Sequence, residues 1–296
     1  MPRIITISNQ KGGVGKTTLT GNLAACYAET GKKVCVIDAD YQGDLSSFLG
    51  IKTEAEAKGR SLAIAIEDDL PLEEVVIRSE YENLDVVAGT KDLEDIASKY
   101  FGRPNQWSLI KNLLDSDLAE EYDIILCDTR PDWSCLTQSC LAASHAYILP
   151  IFPEKKSIDG LSNQIVQVDE LRQYQNKKLE FLGAVVTRFE KSNKTHEKIF
   201  EMLERLDGVN NFHIFKTLII HSKAVAGSDL SKKPLIHYNK RLKIANIYSI
   251  LAGEILPKIN AVGKPGVRKG RPKTSINPEM FRKLEEDCRS VEVNSL

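Results

Sequence analysis

The sequence predicts an α/β fold in which a mainly parallel, twisted β-sheet is flanked by helices, with a basic C-terminal extension. Three observations carry that prediction. Short β-branched runs alternate with longer segments of helical period, the pattern of βαβ units. A glycine-rich stretch, NQKGGVGKTT at residues 9–18, follows the first apolar run directly and opens the first helical segment. Acids then close two later apolar runs, at Asp38 and Asp128, the strand ends where open α/β sheets hold their ligands.

Taken in order, the β-branched runs place strands at Arg3–Ser8, Lys33–Asp38, Leu84–Ala88, Asp123–Cys127, Ala146–Pro150, Phe181–Thr187 and His213–Leu218. The first helix is TTLTGNLAACYAETGKK, stopped by Gly31 and two lysines. Further helices are expected in SIDGLSNQIVQVDELRQYQ, KTHEKIFEMLERL and RLKIANIYSILAGEIL. Residues 51–80 break the rhythm with scattered charges and read either as a helical insertion on the sheet rim or as a mobile loop. After Pro257 the chain carries six basic residues, no acids and several Gly and Pro before Pro278, which reads as a flexible basic linker. A short helix from Pro278 to about Arg289 follows. The expected organisation is therefore one large domain over residues 1–257 and a linker with a terminal helix over 258–296.

Composition is that of a protein able to bury a large core, with 42% hydrophobic and 27% charged residues. The net charge of −1 conceals an asymmetry. Residues 1–187 carry 19 basic and 29 acidic side chains, whereas residues 188–243 carry 12 and 6. The basic later part suits a polyanionic partner, although a solvated charged face would look the same. Six cysteines without paired spacing, several inside apolar runs, read as reduced buried thiols. With no signal-peptide pattern at the N-terminus and no apolar run near the ~18 residues of a membrane span, a cytoplasmic location is expected.

The loop at residues 11–18 has the chemistry of a phosphate cradle. Backbone N–H groups of a strand-to-helix turn surround an anion, and the helix dipole adds to them. Gly12, Gly13 and Gly15, with Val14 between them, allow the close approach. Lys16 supplies a charge to the β- and γ-phosphates, Thr17 is placed for Mg²⁺, and Thr18 continues the cradle into the helix. The common pattern, G-x-x-x-x-G-K-[S/T], would put glycine at position 10. Here Gln10 stands there and a second lysine, Lys11, follows it. A lysine at that place points outward rather than toward its own γ-phosphate.

In this form, K-G-G-x-G-K-T, the loop resembles that of the deviant-Walker P-loop ATPases, the group of ParA, Soj, MinD and the nitrogenase iron protein. The resemblance implies ATP and Mg²⁺ as ligands and an ATP-dependent homodimer in which Lys11 reaches the partner's nucleotide. On the same footing Lys16 serves its own ATP, and Lys11, Lys16 and Asp40 form the catalytic set. VIDADYQGD resembles the family's D-x-D-P-Q-G-N segment, with Tyr41 in place of Pro and Asp44 in place of Asn. Asp40 would then orient the attacking water and Asp38 support the metal shell. YDIILCDTRP resembles its Walker B segment, with Asp128 meeting Mg²⁺. The family has D-x-P-P there, and this chain has Arg130-Pro131. YILPIFPEKKSIDGLSNQI is similar to a further ParA stretch, so the likeness runs from residue 3 to about 187.

Within the group, Cys127, Cys135 and Cys140 read as buried thiols rather than cluster ligands. The terminal stripe of Met280, Phe281, Leu284 and Cys288 is thin and neighbours Glu285, Glu286 and Asp287, which an anionic bilayer repels, so no membrane partner is expected and MinD-like behaviour is the alternative. The ParA branch implies sequence-blind DNA binding by a basic surface. Candidates are Lys191, Lys194, Lys198, Lys223, Lys232, Lys233, Lys240, Arg241 and Lys243. ParA proteins carry I-P-R-N nearby, where this chain has Ile220-His221-Ser222. Arg268, Lys269, Arg271 and Lys273 in RKGRPK resemble an AT-hook core. The function implied is a partition ATPase whose hydrolysis is stimulated by a ParB-like or other adaptor. A nucleotide-gated scaffold that does not hydrolyse is the reading from a different class.

Overall fold

The computed structural model describes residues 1–263 and 276–290. Its centre is a seven-stranded sheet built from β1 (Arg3–Ile7), β2 (Val34–Ala39), β3 (Ile77–Arg78), β4 (Leu84–Val87), β5 (Ile124–Thr129), β6 (Ala146–Ile151) and β7 (Glu180–Val186). The strands lie in the order β3-β4-β2-β5-β1-β6-β7, all parallel except the β3–β4 pair. Strands β2, β5 and β6 are buried along their whole length, which is why they read as continuous apolar runs rather than alternating ones. The chain moves outward from β1 through β2 to one edge, returns to β5 beside β1, and then leaves through β6 on the other side. That reversal puts the C-terminal ends of β1, β2 and β5 around one crevice, where the loop after β1 sits.

Helices close both faces. Lys16–Glu29 is buried along most of its length, sandwiched between the sheet and Lys243–Ala261, with Leu19 and Leu23 fully covered. The opposite face is covered by Leu62–Glu67, Leu93–Tyr100, Leu109–Leu113 and Cys135–Ala143. Residues 51–80 form the helical insertion: Lys52–Lys58, Leu62–Glu67 and Leu72–Val75 lead into β3. All six cysteines are buried and unpaired.

Two expectations are corrected. The strand anticipated at His213–Leu218 reduces to single bridges, Ala184 with Ile214 and Phe189 with Ile220. The cause is a competing acceptor: Glu254 takes the backbone N–H groups of Lys216 and Thr217 at 2.7 and 3.0 Å, so those groups are not available to extend a ladder. Residues 258–261 of the expected linker are helical, because Lys243–Ala261 runs through Pro257; residues 264–275 of it lie outside the described residues. The helix Glu279–Ser290 packs onto the domain. Phe281 is fully buried against Phe212, edge to face with ring centroids 5.0 Å apart, and Leu284 and Cys288 are also covered. The stripe read as thin in the sequence is thus spent on the protein's own core.

Candidate nucleotide-binding site

The loop after β1 is held from three sides before any ligand is considered. Asn9 donates its amide to the carbonyl of Pro150 at 2.8 Å and accepts the backbone N–H of Lys11 at 2.8 Å. Thr187, just beyond the end of β7, donates to the carbonyl of Val14 at 2.8 Å. Arg188 donates to the carbonyl of Gly13 at 3.1 Å and lies over the ring of Phe152. Gln10 is tied to the helix Leu161–Tyr174: its N–H donates to Gln164 Oε1 at 3.1 Å and its side-chain amide to Gln167 Oε1 at 2.6 Å. Gly13 and Gly15 have φ of 75° and 83°, a region a side chain disfavours, so these two positions require glycine for the turn itself.

Lys16 opens the first helix and is 7% exposed, with its ammonium donating to the Lys11 carbonyl at 3.1 Å across the loop. Burial lowers its pKa, and the nearby charges of Asp128, Asp40 and Asp132 oppose that fall. Thr17 donates to Asp128 Oδ2 at 2.7 Å and Thr20 to Asp128 Oδ1 at 3.2 Å. Asp128 is fully buried, and desolvation together with the charge of Asp38 pushes its carboxyl up to about 7. Asp38 stands opposite Asp128 in the β2–β5 register. Its Oδ2 accepts both the N–H and the hydroxyl of Ser46, at 2.8 and 2.6 Å, while Oδ1 accepts the N–H of Asp40 at 3.2 Å. Burial raises it to about 6 despite those bonds. Ser46 in turn accepts the N–H of Gly89 at 3.0 Å. A Cβ on Gly89 would lie 2.5 Å from the Asp40 carbonyl and 2.9 Å from the Asp38 carboxyl carbon, so glycine is what lets this strand end press on β2.

Asp40 sits at the mouth, with Oδ1 accepting the N–H of Gln42 at 3.0 Å and its pKa raised by burial. Arg130 fills the space beside it. Its Nε is 3.1 Å from Asp132 Oδ2 and 3.8 Å from Asp40 Oδ1, and its guanidinium carbon lies 3.6 Å from the centre of the Tyr41 ring. These groups line a cavity of about 340 Å³ with Gly12, Gly13, Gly15, Lys16, Thr17 and Thr18. A larger cavity of about 700 Å³ adjoins it, lined by apolar groups including Phe48, Ile219, Ile220 and Tyr248 beside Thr18, Arg188 and Asp229.

The fit to a nucleotide and its metal can be tested on these atoms. A buried cation, a ring of loop N–H groups and a helix N-terminus suit a polyphosphate, and an apolar cavity next door suits a base. Among the described residues no group of three or more His, Cys, Asp or Glu could hold a metal by itself. The Thr17 hydroxyl and the Asp128 carboxylate at 2.7 Å are instead the sparse protein ligands that Mg²⁺ accepts when phosphate oxygens and water complete its shell.

All the loop and carboxylate residues expected from the sequence converge on this crevice. Lys11 is half-buried at the start of the same loop, its carbonyl accepting the Lys16 ammonium, and none of the described residues pairs with its own ammonium. The basic candidates Lys191, Lys194, Lys198, Lys223, Lys232, Lys233, Lys240, Arg241 and Lys243 are all exposed, none forms an ion pair with a described residue, and Lys232 lines the larger cavity beside the loop. Arg268, Lys269, Arg271 and Lys273 lie outside the described residues. Sequence reasoning passed over Thr20, Ser46, Gly89, Gln164, Thr187 and Arg188. Thr20 had a signal, one turn beyond Lys16 on the same helix face, whereas Ser46 and Gly89 are brought to Asp38 only by the sheet.

A family model described as an AAA domain matches residues 2–181. The chain is 32% identical over 257 residues to the chromosome partitioning protein ParA of Myxococcus xanthus (strain DK1622), covering 86% of this chain and 88% of that protein. It is 30% identical over 255 residues to the sporulation initiation inhibitor protein Soj of Bacillus subtilis (strain 168), covering 86% and 98%. Its fold is similar to that of cobyrinic acid a,c-diamide synthase from Mycobacterium smegmatis, solved with an ATP analogue and magnesium. That likeness has a TM-score of 0.73 at 22% identity, over 88% of this chain and 97% of that one.

Proposed function

The chain belongs to the ParA/MinD family of P-loop ATPases, and from that premise we propose that it is a partition ATPase that couples ATP state to dimerisation and sequence-blind DNA binding. The observation that carries the reading is the buried Lys16 inside the glycine loop, with Thr17 held on Asp128 at 2.7 Å. The ligands are ATP and Mg²⁺; the Mycobacterium smegmatis synthase of like fold was solved with an ATP analogue and magnesium.

In this scheme the N–H groups of residues 12–18 and the Lys16 ammonium hold the phosphates. Thr17 and Asp128 would hold Mg²⁺, and Asp38, locked by Ser46, would support the metal shell beside them. Bound Mg²⁺ supplies charge neutralisation at the phosphate oxygens. Asp40 orients the attacking water by hydrogen bonding rather than by strong base catalysis, which fits slow intrinsic turnover. Lys11 reaches outward to the second copy's triphosphate and stabilises charge there, the part an arginine finger plays in other phosphate-loop enzymes. The nine exposed Lys and Arg side chains supply the DNA surface by neutralising phosphates. An adaptor of the ParB kind then times release.

The deciding experiment is a gel shift on unrelated DNA duplexes with ATP, with ADP and without nucleotide. Binding of every duplex only with ATP is the expected result. Equal binding in all three conditions, or ATP-dependent binding to anionic vesicles instead of DNA, overturns it.

A further inference from the structure

Asp40 and the metal-side residues account for most of the crevice, but one cation in it has no part in the scheme above. Arg130 is only 20% exposed at its side chain and lines the phosphate cavity together with Asp40 and Pro131. It is held by three separate contacts. Tyr41 offers its ring face to the guanidinium at 3.6 Å, within the range of a strong cation–π contact. Asp132 approaches Nε at 3.1 Å, and Asp40 at 3.8 Å. Tyr41 follows Asp40 directly, and Arg130 is two residues beyond Asp128, so the pair bridges the ends of β2 and β5 across the crevice.

The sequence adds a second, independent observation. Tyr41 and Arg130 are two positions at which this chain departs from prolines in the family's motifs, one after β2 and one after β5. The fold brings those two departures together, with the guanidinium over the Tyr41 ring. A proline at either place would fix the turn by its ring. Here the same two turns are fixed to each other by a stacked pair, and the charge of that pair is set beside the Asp40 carboxylate.

We infer that Arg130, stacked on Tyr41, is a positioning residue for Asp40: it holds the carboxylate in the orientation that aligns the attacking water. The inference rests on the ATPase reading for its catalytic consequence. The Tyr41–Arg130 coupling itself belongs to the free protein.

Two readouts test it. In the nucleotide-free protein, urea unfolding of Tyr41→Leu, Arg130→Ala and the double variant forms a thermodynamic cycle. The two single shifts should sum to clearly more than the double, and additive shifts overturn the stacked pair. With ATP and Mg²⁺, Arg130→Ala should lower single-turnover hydrolysis about tenfold while calorimetric ATP affinity stays within about twofold. Arg130→Lys, which keeps the charge but loses the planar stack, should fall between the two. In an Asp40→Ala background, adding Arg130→Ala should produce no further loss. A further loss there, or an ATP affinity weakened tenfold in Arg130→Ala alone, would place the guanidinium on the phosphate and overturn the positioning role. Unchanged turnover in Arg130→Ala overturns it as well. A wild-type protein that binds ATP without hydrolysing it would refute the proposed function instead, and the unfolding cycle would still judge the pair.

Discussion

At the scale of single residues, the crevice is governed by which groups are starved of water. Lys16 is buried, so its charge is available at full strength to whatever anion enters the loop. Lys16→Ala is expected to weaken ATP binding by at least about a hundredfold, measured by calorimetry, because a buried charge-assisted hydrogen bond is removed outright. Away from the site, burial also holds His145, His196 and His237 below the ordinary histidine value, in each case against or alongside weaker charge effects. The unfolded chain takes up protons near pH ~6.5 where these folded imidazoles resist them, so their contribution to stability is complete above that pH and lost as pH falls through it. His196 is 2% exposed, accepts the N–H of Glu190 at 3.1 Å and packs on Phe152 and Phe189. His196→Gln should therefore flatten the decline of the urea midpoint between pH ~7 and ~5 relative to the unmodified chain. An identical decline would show that this imidazole is not excluded from protonation.

At the scale of elements, the terminal helix Glu279–Ser290 is the segment whose role changes most between sequence and structure. Glu285 accepts the N–H of Ser162 at 3.0 Å, at the first turn of Leu161–Tyr174, and Phe281 fills the space over Phe212. Phe281→Ala is expected to cost about 3–5 kcal/mol in denaturant unfolding. A loss below about 1 kcal/mol would mean that the helix is only laid on the surface. The parallel strands and the loop were legible because each announces itself locally, β1 by its apolar run and the loop by its glycines. The terminal helix was not, since its four apolar residues gain meaning only from a groove assembled by Leu161–Tyr174, Lys194–Glu204 and Phe212. The same holds within the site. Lys16, Thr17, Asp38, Asp40 and Asp128 each stand in a short readable pattern, whereas Ser46 and Gly89 meet Asp38 from 8 and 51 positions further along the sequence. The false strand at His213–Leu218 has the complementary cause, a β-like pattern whose donors were claimed by Glu254 from a distant helix.

At the scale of the whole molecule, dimerisation is the proposed link between the phosphate crevice and the exposed basic side chains. Lys11→Ala should keep ATP affinity within about threefold yet abolish the ATP-dependent doubling of mass in light scattering, since its proposed bond exists only across the dimer. Normal ATP-driven doubling would remove its role in trans. DNA affinity should fall steeply with salt, and replacing Lys232, Lys233, Lys240 and Arg241 with Ala should reduce the log–log slope by up to about 0.9 for each phosphate no longer neutralised. A slope unchanged by all four would place the DNA surface elsewhere. One further consequence follows from the bond between Glu285 and Ser162, whose partners are separated by 123 positions. At ~5–20 residues per second of synthesis, the helix carrying the hydrogen bonds to Gln10 spends on the order of ten seconds on the ribosome before its own cap exists. That bond is therefore among the last to form during synthesis, made after the strands, the loop and the helix that holds Gln10 are all outlined.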